Sequence, residues 1–373
     1  MKFISITVIG FAAGLLAASG AIAGGKAPAA MASEKFRVET LFQAEDSIWG
    51  FDFLPDGKIL FTKREGSFGL FDPATRKVSE VSGAPKVFAE GQGGLLDVKL
   101  HPDFAKNSLV YYSYAEPLPD GLATTALGRA TLVGHELKNG ARIFSAKAAG
   151  KKSEHFGSRI IFTGPDSLFL TVSERNEREK AQDSNLHNGK VLHLTAAGQP
   201  HADNAFDKGQ GLLDIYTMGH RSVQGLALRE NGQLWEVEMG PRGGDEVNLL
   251  KKGTNYGWPL ITYGREYYGP KIGEKERAGL AQPLAYWVPS ISPSGADFYR
   301  GDKFPRWRGD LFLACLSGQQ LRRLKLVGDK ITEQEPLLAD LDKRFRMVKS
   351  GPDGFLYFST DDGMLARLVP AGK

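Results

Sequence analysis

The feature that most constrains this chain is a hairpin that returns six times. Each copy begins with a short apolar run, passes through a turn built on Pro-Asp or Gly, and returns as a second apolar run. The first spans residues 51–62 around Pro55-Asp56-Gly57. The next three turn at His101-Pro102-Asp103, Gly164-Pro165-Asp166 and Asn231-Gly232. A looser fifth copy runs from Ala296 to Leu313 through Arg308-Gly309, and the last turns at Gly351-Pro352-Asp353-Gly354. Apolar residues at period two flank turns in which proline presets one dihedral and glycine or aspartate tolerates the next. Successive copies begin about fifty to seventy residues apart, the order of spacing of propeller blades. No strong amphipathic helix interrupts them. The expectation is an all-β chain, a six-bladed β-propeller, with a β-sandwich on long loops as the alternative. In a propeller, loops of several blades converge over one channel mouth, so a site should draw residues from distant parts of the sequence.

Composition agrees. Of 373 residues, 42% are hydrophobic and 24% charged, and the 45 glycines suit a turn-rich β architecture. The 47 basic and 43 acidic side chains nearly balance, and no basic run carries interleaved aromatics, so nucleic acid is not an expected partner. Met1-Lys2 precedes an apolar stretch through residue 18, and Ala21-Ile22-Ala23 fits a small-x-small cleavage site. The apolar stretch is shorter than a membrane span needs. Residues 1–23 are therefore expected to be a cleaved signal peptide, 24–33 a flexible lead-in and 34–373 the propeller, with no membrane span in the mature chain. Cys315 is the only cysteine, so no internal disulfide can form.

Four groups could carry chemistry. Residues 219–258 gather His220, Arg221, Gln224, Gly240-Pro241, Asp245-Glu246 and Tyr256, and read as the floor of a site. Arg221 offers a planar cationic fork. The Gly240 and Pro241 carbonyls, with Asp245, Glu246 and Tyr256, offer oxygens of the kind Ca²⁺ prefers; a solvated acidic turn explains the same residues. His155 has an imidazole suited to proton abstraction near neutral pH, with Glu154 as a neighbouring carboxylate; a structural histidine is the alternative. The segment from Gly91 to Asp97 would let a backbone approach a ligand, with Gln92 as a hydrogen-bonding group, or be a plain turn. Arg344 and Arg346 fall on one side of a strand, where like charges call for an anion or for solvent.

Together these groups resemble the pyrroloquinoline quinone (PQQ)-dependent soluble aldose sugar dehydrogenases, the family that includes soluble glucose dehydrogenase. The resemblance runs from about Trp49 to Leu368. It is carried by GQGGLLDVKLHPDF from Gly91, HFGSR from His155, GHRSVQGLAL from Gly219, GPRGGDEVNLL from Gly240, NYGWP from Asn255 and YWVPSISPSG from Tyr286. It implies a six-bladed propeller that oxidises the anomeric carbon of an aldose to a lactone, with hydride passing to PQQ. By this resemblance His155 is the general base and Arg221 polarises the quinone oxygens. Gln92 and Glu154 fall at the substrate end. Gln92, Arg221, Ser222, Gln320, Arg344 and Arg346 fall on the cofactor. The carbonyls of Gly240 and Pro241 match those that hold the active-site Ca²⁺, and Glu246 and Tyr256 match ligands of a second, structural Ca²⁺. It also implies a periplasmic location and a periplasmic electron acceptor.

The chain departs from the family at four places. Ser222 replaces an asparagine, Ser173-Glu174-Arg175 replaces Gly-Asp-Arg, Met347 replaces an aspartate, and residues 316–320 lack a cofactor-binding lysine. Two rival readings follow: a calcium-dependent lactonase-type hydrolase using the same channel, and a non-catalytic propeller that has lost PQQ.

Overall fold

The computed structural model describes residues 22–23, 34–206 and 209–371. It is all-β, with six antiparallel blades of four strands each around a channel. The six hairpins of the sequence are the two innermost strands of the six blades. They are Ile48–Phe53 with Ile59–Lys63, Leu95–Leu100 with Leu109–Pro117, Gly157–Gly164 with Ser167–Val172, Val223–Leu228 with Leu234–Glu238, Pro293–Phe298 with Leu311–Cys315, and Phe345–Ser350 with Leu356–Thr360. The only α-helix among the described residues is the single turn Phe104–Asn107, and no described helix is long and apolar enough to cross a membrane.

Inner strands are apolar on both faces because each blade packs on two neighbours. One hydrophobic cluster fills each interface between successive blades. The outer strand Lys77–Val81 is largely exposed, and Lys330–Leu337 alternates between exposed and buried residues. The last blade is completed by the N-terminal strand Phe36–Gln43, which pairs with Met364–Pro370. Closure leaves that seam without an open inner edge.

Of the expected signal peptide, only Ile22–Ala23 is described, as a short parallel pairing on Ala285–Trp287 at the outside of the fourth blade. The rest of the signal peptide and the lead-in lie outside the described residues.

All six inner hairpins carry a register irregularity at the same end. It falls between Ile48 and Gly50, Leu95 and Val98, Gly157 and Ile160, Val223 and Gly225, Pro293 and Gly295, and Phe345 and Met347. A bulge re-aims a side chain and frees backbone groups from the ladder, and those groups need partners elsewhere. Arg159 supplies many of them. Its guanidinium donates to the carbonyls of Trp49, Gln224, Ser294 and Arg346 and to the Asp97 carboxylate. With its own strand, this one side chain touches all six blades. It is 3% exposed and lies 3.9 Å from the centre of the Trp49 ring. Burial pulls its pKa down to about 10, against the opposing charge of Asp97.

Candidate active site

A cavity of about 390 Å³ opens at the bulged end of the channel. Gln92, Trp49, Gln224, Met239, Arg344 and Arg346 are among the side chains that line it. It draws on separated stretches of the chain because the bulges and the loops beyond them meet there.

His155 lies next to the lining residues Phe156 and Gln92, 9% exposed and in left-handed backbone conformation (φ 53°). A bulky residue at positive φ is strained, and such strain concentrates at functional positions. Three contacts fix it, two of its own and one within the loop it leans on. Its N–H donates to Gln92 Oε1 at 3.0 Å. The loop bearing Gln92 is locked by the Gln92 N–H on the Ser153 carbonyl. A Cβ at Gly91 would sit 2.8 Å from that same carbonyl, so this approach needs glycine. The third contact is Nδ1, 2.8 Å from Glu174 Oε1.

That contact corrects the expectation for Glu154. The carboxylate on His155 comes from the next hairpin, not from the adjacent residue. Glu154 is half-buried, and its main-chain carbonyl accepts from Arg175. The buried Arg175 also donates to Ala123, Ala148 and Lys152 carbonyls, which fixes the loop leading to His155. Glu174 Oε2 accepts from the Glu177 N–H, and the Glu174 N–H donates to the Arg221 carbonyl. The substitution of glutamate into the Gly-Asp-Arg segment thus retains a carboxylate on the histidine.

Arg221 Nη2 lies 3.5 Å from His155 Nε2, and Nη1 donates to the carbonyls of Met239 and Gly240, each at 2.8 Å. Burial lowers the His155 pKa below the ordinary histidine value; Glu174 raises it and Arg221 lowers it. The imidazole is therefore neutral near pH 7. A proton on Nδ1 shared with the carboxylate leaves the Nε2 lone pair available.

Arg344 and Arg346 do share an anion, but the protein provides it. Both guanidiniums bond Asp361, Arg344 through Nε at 3.0 Å and Arg346 through Nε at 2.7 Å. Burial pushes the Asp361 carboxyl up, and the two arginines outweigh it and hold the pKa below the usual aspartate value. Two cations to one carboxylate leave this wall of the cavity positive. Asp361 and the lining residues Trp49, Arg64 and Asp46 carry no motif that sequence reasoning could single out.

Other expected residues stand back from the cavity. Ser222 Oγ accepts from Gln224 and from Ser173 behind the wall. Gln320 begins an interior strand opposite Cys315, and Leu316 is what its turn contributes to the lining. The Tyr256 hydroxyl is committed, donating to the Leu249 carbonyl and accepting from the Lys251 N–H. Glu246, Glu238, Gly240 and Tyr256 border a second void of about 10 Å³, the space of about one bound water or ion. Sequence reasoning passed over Glu236 and Glu238, whose alternation in an apolar strand was the available signal.

A family model described as glucose/sorbosone dehydrogenase matches residues 45–367. An aldose sugar dehydrogenase of Escherichia coli is 40% identical over 343 residues, which is 89% of this chain and 92% of that protein. The crystal structure of the soluble E. coli aldose sugar dehydrogenase in its apo form superposes with a TM-score of 0.87 at 40% identity, covering 90% of this chain and 100% of that one. The PQQ-bound aldose sugar dehydrogenase of Streptomyces coelicolor superposes with a TM-score of 0.77 at 28% identity, covering 91% and 98%.

Proposed function

Because the chain belongs to the glucose/sorbosone dehydrogenase family, we propose that it oxidises the anomeric carbon of aldose sugars to lactones with PQQ as the electron acceptor. The observation that carries this reading is the His155–Glu174 pair directly behind Gln92 and Phe156, which line the same cavity as the Arg344–Arg346 pair. A base for a hydroxyl proton and a cationic wall for an acidic cofactor are what such an oxidation needs.

PQQ, when bound, supplies the two-electron acceptor for hydride from the sugar. Its fit rests on the excess of guanidinium charge at Arg344 and Arg346 beside the Trp49 ring, 6.0 Å from Arg346. His155 Nε2 takes the proton of the anomeric hydroxyl, and Glu174 orients the ring and stabilises the imidazolium that forms. Arg221, held by two carbonyls, favours negative charge developing beside it. Gln92 fixes the main chain of His155 and borders the substrate space. Ca²⁺, if bound, would be held by the Gly240 and Pro241 carbonyls, the first released by Arg221, and would supply Lewis acidity there. The void beside Glu246 and Tyr256 suits a second, structural ion. Export to the periplasm and a periplasmic electron acceptor belong to the same reading.

The direct test mixes apo-protein with PQQ and Ca²⁺ and follows the cofactor spectrum as aldoses are added. Reduction of the cofactor is expected; failure to bind PQQ would sink the proposal.

Two further results follow. Arg346→Ala should weaken PQQ binding by roughly 10–100-fold, the range for a lost hydrogen bond to a charged group; an unchanged Kd by titration would remove Arg346 from the cofactor site. Glu174→Gln should shift the pH profile. The base must be neutral, so kcat/KM is full above the His155 pKa and lost as pH falls through it. Removing the carboxylate that raises this pKa moves the acid limb to lower pH, alongside a fall in kcat from lost orientation. A shift to higher pH would contradict the assignment.

A further inference from the structure

Below the catalytic wall, on one face of the fourth blade, lies a cluster the proposed reaction does not use. Glu238 is directly opposite Glu246 across the sheet, and Glu236 is opposite Asn248. Cross-strand neighbours of like charge repel, and here Glu236 and Glu238 are 0% and 4% exposed. His220, also fully buried, faces both: its Nδ1 is 3.3 Å from Glu238 Oε1 and 3.8 Å from Glu236 Oε1. One ligand atom from each of His220, Glu236 and Glu238 falls within 4.8 Å of the others.

The hydrogen bonds do not account for this cluster. Asn248 Nδ2 is divided between Glu236 Oε1 at 2.7 Å and Glu246 Oε2 at 3.2 Å. Glu236 Oε2 and Asn248 Oδ1 are wholly buried acceptors with no partner. Glu238 Oε2 takes the Arg221 N–H at 2.6 Å, while the Arg221 guanidinium is turned to the Met239 and Gly240 carbonyls. His220 Nε2 pairs with Thr217 Oγ1 at 2.9 Å, and the Tyr256 ring stacks on the imidazole 4.8 Å away. An Nδ1–H tautomer would bond Glu238 Oε1 and still leave Glu236 Oε2 without a partner; the Nε2–H tautomer donates to Thr217 and presents the Nδ1 lone pair to both carboxylates. Orphaned buried acceptors facing a lone pair call for a positive centre among them.

We propose that His220, Glu236 and Glu238 bind a divalent transition ion of the Mn²⁺ or Zn²⁺ class, at a site distinct from the Gly240–Pro241 carbonyls and behind the void beside Glu246, with which it shares Glu238 as a wall. The imidazole nitrogen sets the class: Ca²⁺ takes oxygen ligands, whereas one imidazole with two carboxylates suits Mn²⁺ and Zn²⁺. The role is structural. The ion ties the strand Leu234–Glu238 to the 217–221 turn that leads into Arg221. The inference does not depend on PQQ or on the sugar.

The test uses whole protein stripped with chelator, incubated with Mn²⁺, Zn²⁺ or Ca²⁺ separately, desalted, and analysed for bound metal. Wild type is expected to retain one equivalent of Mn²⁺ or Zn²⁺ more than Glu236→Gln. Equal retention by the two proteins overturns the site, and an extra equivalent seen with Ca²⁺ alone overturns the class of ion. Thermal unfolding of the wild type decides if the variant does not fold. Mn²⁺ or Zn²⁺ should restore the Tm lost to chelator, and Ca²⁺ should not. A metal-free protein that instead becomes more stable on mild acidification holds the cluster with shared protons, which also overturns the proposal.

Discussion

Replacing His155 with alanine is expected to lower sugar oxidation by about 10²–10⁴-fold, the range for loss of a positioned general base, with PQQ binding retained. The separation follows from the geometry. The imidazole is held from the Gln92 and Glu174 side, whereas the cationic wall is built from Arg344, Arg346 and Asp361 in the last blade. No hydrogen bond or ion pair joins His155 to those three residues. Dye-linked turnover and PQQ titration on the same preparation check both halves. Unchanged turnover would end the assignment of His155 as base. Loss of PQQ binding in step with turnover would place the histidine under the cofactor instead.

Arg159→Met should cost about 3–5 kcal/mol, the range for removing one partner of a buried ion pair. The cost exceeds that of an ordinary surface arginine for two reasons. The Asp97 carboxylate, 1% exposed, would lose its cation, although it keeps the N–H groups of Val98 and Ile160. The bulge carbonyls of Trp49, Gln224, Ser294 and Arg346 would lose a shared donor at once. Urea unfolding of apo-protein reads the loss as a lower midpoint. The double variant Arg159→Met/Asp97→Asn should recover part of it, because the neutral amide leaves no unpaired charge. A midpoint within the range of surface substitutions would show that the six inner strands hold their positions without this contact.

The inner hairpins were legible in the sequence because their strands are buried on both sides and punctuated by Pro-Asp and Gly turns. The outer strands were not, because solvent on one side permits residues such as Lys77, Glu80 and Glu333, which carry no period. The long stretch from 116 to 152, hard to read from composition, is mostly the extended pair Ala123–Val133 and Glu136–Ser145. At the site, sequence proximity misled. Glu154 adjoins His155, but Glu174 reaches it because the turn after one strand folds back beside the start of the preceding one. Arg344 and Arg346 were read as a pair facing either an anion or solvent, and the carboxylate they share, Asp361, lies some fifteen residues on, across the hairpin. Bulges depend on which residue the ladder skips, and spacing in the sequence does not record that.

The seam of the ring has a further consequence. The Ala371 N–H donates to the Lys35 carbonyl, so the first and last strands of the ring meet on the outer side of one blade. A disturbance of the Lys35–Ala371 contact therefore acts at the perimeter, on the side of the blade away from the strand that faces the cavity. The same neighbourhood makes the order of blades a matter of where translation starts. A permuted chain, opened at an exposed turn such as Asn231-Gly232 and spliced across residues 35 and 371, would wind the same wheel from a different spoke.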